Sequence, residues 1–315
     1  MLFEITKQQF GDLTEYVVQE ASTGNRFSVV PELGGLVRQL SLRKDVTLYS
    51  LLKTPPTPQK LAEDSQSASE LLFPFASRIP DGSYTFLGKS YQLERNEKGG
   101  KNAIHGLVRK NKFTLQEQSI KSDCAAIRLA YAITPTPGYP FEIKFEVTYS
   151  LDQQGIFRLH YEAYNQGTNA APAMFGWHPY FDLGNEEVDA WKIRIPSQTI
   201  VTFDGNMIPT GTAPYHHQGP FSLFRKELDN CFIVEADGHS AVTELISENQ
   251  DVTLQIRQEI GDGKFNYLVI YTPPARDCVA IEPLTANVNA FNNGEGLNLV
   301  SPGKSVSGII ELKLY

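Results

Sequence analysis

Five ionisable side chains, Arg78, His105, His178, Asp229 and Glu282, each stand among rigid or turn-forming neighbours. Imidazole and carboxylate are the side chains suited to moving protons near neutrality, and a guanidinium binds carboxylate or ligand oxygens. Arg78 lies in Phe73-Pro74-Phe75-Ala76-Ser77-Arg78-Ile79, where its apolar flanks favour a carboxylate or ligand partner over a solvated strand end. In Asn102-Ala103-Ile104-His105-Gly106, the glycine permits backbone conformations closed to other residues, so His105 can project from a strand end or bend. His178 sits in Phe175-Gly176-Trp177-His178-Pro179-Tyr180-Phe181, and Pro179 forces it into an extended conformation. It reads either as a hydrogen-bonded structural group or as the polar tip of an aromatic platform suited to a sugar's C–H face. Glu282, in Ala280-Ile281-Glu282-Pro283, follows an apolar run, where a carboxylate needs a partner. Asp229, beside Asn230, reads alone as ordinary turn chemistry.

The elements that must carry these residues are strands. In Ile156 to Ala163, the residues Phe157, Leu159, Tyr161 and Ala163 share one face, and Arg158, His160 and Glu162 the other. Phe145 to Tyr149 and Val252 to Ile256 repeat the pattern. Phe265 to Tyr271 is more continuously apolar and predicts a central strand. The 24 glycines and 19 prolines cluster between such runs. Asp81-Gly82, followed by Tyr84 to Lys89, predicts a hairpin with a second turn at Gly88. Helical signal is thin: the best candidate is Leu61 to Leu72, with a loop as the alternative there, and Lys53 to Lys60 reads as a surface loop. Without an internal repeat or long linker, residues 1–315 are expected to form one all-β domain, a large antiparallel sandwich.

Composition narrows the function classes. Across 315 residues, 36 acidic side chains outnumber 28 basic ones, so phosphate backbones and anionic lipid are repelled. Neither a nucleic-acid nor a membrane partner is expected. No stretch approaches the ~20 apolar residues of a membrane span, and the N-terminus lacks the pattern of a secretory signal. Cys124, Cys231 and Cys278 are widely spaced and odd in number, which suits reduced thiols in a cytoplasmic protein and no metal cluster. Lys304-Ser305 lacks the first glycine of a phosphate loop, and Gly294-Glu295-Gly296 lacks the third of a dinucleotide fingerprint. The adjacent His216 and His217 read as solvated loop residues rather than as metal ligands.

Order along the chain adds what single segments do not. Arg78 with Asp81-Gly82, Asn-x-x-His-Gly at 102–106, His-Pro-Tyr-Phe at 178–181, Asp229 and Glu282 together resemble the aldose 1-epimerase (galactose mutarotase) family. The resemblance runs from about Phe73 to the C-terminus, and the two histidine motifs are its specific parts. It implies a β-supersandwich fold, interconversion of the α and β anomers of an aldose, and no cofactor or metal. By position it implies Glu282 as general base, His178 as general acid, and His105 as a group holding the substrate and polarising the ring oxygen. Arg78 and Asp229 match groups that bind sugar hydroxyls. The partner would be a small-molecule sugar, and the assembly a monomer or homodimer.

Such a reaction removes a proton from the C1 hydroxyl while delivering another to the ring oxygen, then runs backwards after rotation about C1. Each catalyst must act as both acid and base. Histidine, with an ordinary pKa of about 6.5, and glutamate, with about 4.3, suit the two tasks. Burial would raise the glutamate and Arg78 would lower it. The sequence departs from the galactose-active pattern at Ser77, Asp182-Leu183 and Pro283-Leu284, where Asn, Asn-Leu and Thr-Gln are usual. The segment from Glu282 to Asn292 is more similar to a bacterial branch of aldose-epimerase-like proteins. These departures touch hydroxyl-reading positions, so they bear on the sugar rather than on the reaction. The alternatives are a phosphorylated or other sugar, with Arg109 and Lys110 as cations for a phosphate, and a non-catalytic sugar sensor on the same fold. A glycoside hydrolase built on Asp229 and Glu282 would leave both histidines unexplained.

Overall fold

Strands that alternate apolar and polar residues bury one face each, and stacking those faces produces the sheets seen here. The structure, a computed structural model, describes residues 2–184, 186–217 and 219–315. Every pair of strands named in its three large sheets is antiparallel. The first five strands, Phe3–Phe10 through Thr47–Ser50, form a sequential meander. A nine-stranded sheet has Phe157–Asn165 and Val252–Glu259 bridged by the C-terminal strand Ser305–Leu314. An eight-stranded sheet carries Asp229–Ile233, Tyr267–Tyr271, Val279–Leu284 and Gly176–Trp177 side by side, with Tyr180–Phe181 paired to Val279–Leu284 as well. No described helix is long and apolar enough to cross a membrane.

The expected faces are the observed ones. Along Phe157–Asn165 the residues Phe157, Leu159, Tyr161 and Ala163 are buried, while Arg158, His160 and Glu162 are only partly covered. Tyr267–Tyr271 lies between two neighbours, as its apolar run requires. Aromatic rings join the inner face of the nine-stranded sheet to the segments that carry the ionisable residues. Phe145 stacks on Phe73 at 4.6 Å, and Tyr161 stacks on Phe175 at 4.2 Å. The cores of those segments therefore cannot move independently of the sheet.

Two local expectations are corrected. The helix is Pro58–Ala62, so it takes the end of the surface loop expected at 53–60, while Leu61 to Leu72 is otherwise the alternative loop, ending in the short strand Leu71–Leu72. Beyond the helix the Asp64 carboxylate accepts the Gln66 and Ala68 N–H groups at 3.1 and 2.7 Å, and Ser67 and Ser69 adopt φ of 59° and 62°. Short polar side chains that bond the nearby backbone compete with helix, and here they win. Likewise Asp81-Gly82 closes a single 3-10 turn over Pro80–Gly82 rather than a hairpin. The hairpin Ser83–Phe86/Lys89–Gln92 turns at Leu87-Gly88, whose φ values of 50° and 77° suit a tight two-residue connection.

The N-terminal meander reaches the rest of the chain through a glycine turn. Gly34 has φ of 68° and donates its N–H to the Asn111 carbonyl at 2.8 Å, while Phe113 N–H reaches the Pro31 carbonyl at 2.8 Å. A Cβ on Gly34 would lie 2.3 Å from the Arg109 carbonyl oxygen, so only glycine fits. Gly34→Ala should therefore lower stability by about 2 kcal/mol or more, combining left-handed strain with a backbone clash. Gly88→Ala is the comparison, because its φ is 77° with nothing within 4 Å of the added methyl, leaving only about 1 kcal/mol of strain. Urea unfolding of both variants measures the difference, and equal losses would contradict the clash.

Candidate active site

Three segments far apart in sequence are sewn together by main-chain hydrogen bonds. Arg78–Ile79 pairs with Ala103–Ile104, which brings the arginine motif beside the first histidine motif. His105 N–H donates to the Ser77 carbonyl at 3.1 Å, and Ser77 N–H donates to His105 Nδ1 at 3.3 Å. An accepting Nδ1 puts the proton of the neutral ring on Nε2. Ser77 and His105 both have positive φ, 53° and 62°, so the two side chains leave a backbone held in an uncommon conformation. Gly106 continues the bend at φ 74°, and a Cβ there would lie 2.3 Å from the Phe73 carbonyl oxygen. The glycine anticipated behind His105 is thus required by φ and by contact together.

The second histidine is fixed by a different strap. His178 N–H donates to the Glu70 carbonyl at 3.1 Å, and Ser69 N–H donates to the His178 carbonyl at 2.8 Å. The indole N–H of the buried Trp177 donates to Ser69 Oγ at 3.3 Å. The His178 ring meets that of His105 edge-on at 5.4 Å and lies 5.1 Å from the Tyr180 ring. Its Nε2 is 3.3 Å from Glu282 Oε1. Glu282 sits on Val279–Leu284, a strand buried along its whole length, and is itself only 4% exposed.

His105, His178, Glu282, Arg78 and Asp229 all line one cavity of about 570 Å³. Asp229, opening the strand Asp229–Ile233, stands exposed at the cavity and is not the turn residue its neighbours suggest. Arg78 donates from Nε to Glu97 Oε1 at 2.7 Å, and Asn102 Nδ2 holds the other Glu97 oxygen at 2.7 Å. The apolar flanks of Arg78 pointed to such a partner. Glu97 itself, within Asn96 to Gly100, carries only turn character in the sequence. Sequence reasoning also passed over Glu70, 1% exposed, whose carboxylate pairs with Arg109 at 3.1 Å and Lys110 at 2.6 Å. The signal was a carboxylate directly before the apolar Leu71-Leu72-Phe73 run. Arg109, offered by the sequence as a cation for a phosphate, is thus already paired with a buried carboxylate. His216 and His217 lie apart from this cavity and are exposed, as expected.

Burial governs protonation here. It drives His178 down to about 4, with Arg109 pushing the same way and Asp64 opposing. Burial likewise holds His105 well below its usual value, reinforced by His178, Arg109 and Arg78. It lifts Glu282 well above the ordinary carboxylate value, Asp229 adding to the rise and Arg78 opposing it. Between burial and Arg78, burial wins. Asp229 moves upward as well, partial loss of water at the cavity wall outweighing the pull of Arg78. No group of three or more His, Cys, Asp or Glu side chains arranged to hold a metal occurs among the described residues.

An antiparallel sandwich with an imidazole–carboxylate pair, a second imidazole and a guanidinium in one cavity defines a β-supersandwich protein of the galactose mutarotase-like fold. The chain belongs to the aldose 1-epimerase family, whose model matches residues 18–313. It is 28% identical over 241 residues to protein YihR of Escherichia coli K12, covering 75% of each chain. It is 28% identical over 212 residues to the galactose mutarotase of Homo sapiens, covering 59% of this chain and 60% of that one. Among solved structures it resembles a galactose mutarotase-like protein from Clostridium acetobutylicum, with a TM-score of 0.86, 19% identity and coverage of 99% and 98%.

The titration of His178 has a measurable consequence for stability. Unfolded, the imidazole takes a proton near 6.5; folded, it does so near about 4. Between those values the unfolded chain binds a proton that the folded chain refuses. Stability from this group is full above 6.5 and falls as pH drops towards 4, by up to about 3 kcal/mol. Glu282 acts in the opposite sense, its raised value favouring the folded state at low pH. His178→Gln should thus lose less stability between pH 7 and 4.5 than the parent, read as the shift in urea midpoint. An unchanged loss would mean the imidazole is not held neutral.

Proposed function

We propose that this protein is an aldose 1-epimerase that interconverts the α and β anomers of a free hexose. The observation that carries the reading is the 3.3 Å approach of His178 Nε2 to Glu282 Oε1 in a cavity shared with His105, Arg78 and Asp229. Glu282 takes the proton of the C1 hydroxyl. As the C1–O5 bond breaks, its electron pair goes to the ring oxygen, which receives a proton from His178. The resulting aldehyde rotates about C1–C2, and attack of O5 on the other carbonyl face reverses both transfers. His105, with its proton on Nε2, polarises the ring oxygen, while Arg78 and Asp229 hold hydroxyls.

The opposed shifts of the two catalysts suit a reaction run in both directions. A carboxylate raised by burial and an imidazole lowered by burial approach one another in proton affinity. Moving one proton between them through the substrate then costs little in either sense, the condition for efficient acid–base catalysis. The phosphorylated-sugar reading is less well supported, because Arg109 and Lys110 are already engaged by the buried Glu70 carboxylate.

Saturation-transfer NMR on equilibrated glucose, galactose and other aldoses tests the reading, with enhanced α–β exchange the expected result. Glu282→Gln should cut that enhancement by about 10²–10⁴-fold while the fold is retained. Full activity in Glu282→Gln would overturn the mechanism. His178→Gln should lose turnover yet still bind sugar, which separates an enzyme from a sensor. Chelators should leave the rate unchanged, and strong inhibition by one would reveal a metal requirement.

A further inference from the structure

Arg109 belongs to none of the roles above, yet it lines the cavity with both histidines and is anchored from three directions. Its guanidinium meets the buried Glu70 carboxylate at 3.1 Å and Ser67 Oγ at 3.4 Å. Its main chain packs against Gly34, where no side chain fits. It follows His105 by four residues, on the far side of the Gly106 bend. Glu70 is also the residue whose carbonyl receives the His178 N–H. One short segment, Ser67 to Glu70, thus holds the His178 backbone with its main chain and the Arg109 charge with its side chains.

We propose that Arg109, clamped on Glu70, is a positioning residue that keeps a fixed positive charge at the wall of the cavity lined by His105 and His178 and so adds to burial in opposing entry of a second proton into the His178–Glu282 pair. Its bearing on catalysis rests on the epimerase reading, although its effect on the histidines does not. An acid–base pair that must exchange one proton with a sugar is disabled when it carries two. A permanent cation at the cavity wall opposes entry of the second proton. Lysine at this position would retain the charge, and an apolar residue would remove it.

The other charges facing the imidazoles do not substitute for it. Asp64, in the loop before Ser67, favours imidazolium at His178, whereas Glu282 and Asp229 on the neighbouring strands are themselves shifted towards their neutral forms. Arg78 faces the same cavity and also pushes His105 downward, but it does not act on His178. Lys110 is more exposed and shares the Glu70 carboxylate. Tyr180, beside His178, is held neutral by burial, with Glu282 adding to the effect. Arg109 is the cation that pushes both histidines downward and is itself held by a buried counter-charge.

The test is ¹⁵N NMR titration of the imidazoles in the full chain from pH 4 to 8, assigned with His105→Gln and His178→Gln. Arg109→Met should move protonation of the pair upward by roughly one pH unit. Arg109→Lys should retain the parent titration. Glu70→Gln, which keeps the carbonyl to His178 but leaves the cation uncompensated, should keep both rings neutral to at least as low a pH as the parent. A role in packing alone would not separate these variants by charge. Unmoved imidazoles in Arg109→Met would overturn the proposal. If that variant does not fold, earlier protonation in Glu70→Gln would do so instead. The acid limb of kcat/KM for anomer exchange should follow the imidazole shift in Arg109→Met. Shifted imidazoles with no exchange activity in the parent would sink the epimerase reading and leave this one standing.

Discussion

A carboxylate buried in the middle of a sheet is the constraint to which the rest of this structure answers. Removing an ionised carboxylate from water costs several kcal/mol unless a partner or a proton compensates. Glu282 is 4% exposed on a strand covered along its length, and its partner is an imidazole that burial also holds neutral. The pair can share a proton, which removes charge from both. Both side chains line the cavity.

Placing that pair demands close strand approach. Val279–Leu284 has Tyr267–Tyr271 on one side and the Gly176 and Tyr180 segments on the other. Gly176 suits that close approach, since a Cβ there would lie 2.4 Å from a Leu284 methyl group and 3.1 Å from the Ala76 Cβ. The His178 main chain is tied to Ser69 and Glu70, and those residues reach Trp177, Arg109 and Lys110. The second sheet contributes aromatic rings that press Phe73 and Phe175 into place. Positive φ at Ser77 and His105 concentrates backbone strain beside the cavity, where the fold's packing can hold it.

Much of this was legible before any fold was known. Period-two alternation marked the faces of Phe157–Asn165 and Val252–Glu259, because side-chain direction in a strand is a local property. Gly106 announced its bend because only glycine tolerates both the dihedral and the contact. The apolar runs around Arg78 and Glu282 announced burial and a need for partners. Leu61 to Leu72 is loop rather than helix over most of its length because the Asp64 carboxylate bonds the nearby backbone and Ser67 and Ser69 adopt positive φ, a competition that composition does not decide.

By itself the sequence determined the strand-rich class, the burial of particular faces, and the five ionisable residues worth watching, since each depends on near neighbours in the chain. Tertiary structure decided which of them meet, that Glu97 and Glu70 are the counter-charges of Arg78 and of Arg109, and that burial rather than Arg78 sets the state of Glu282. Glu70 and Arg109 are 39 residues apart, and His178 lies between two short strands that both pair with the strand carrying Glu282. Electrostatic energy depends on distance in space and on exclusion of water, and neither is written in the spacing of residues along a chain.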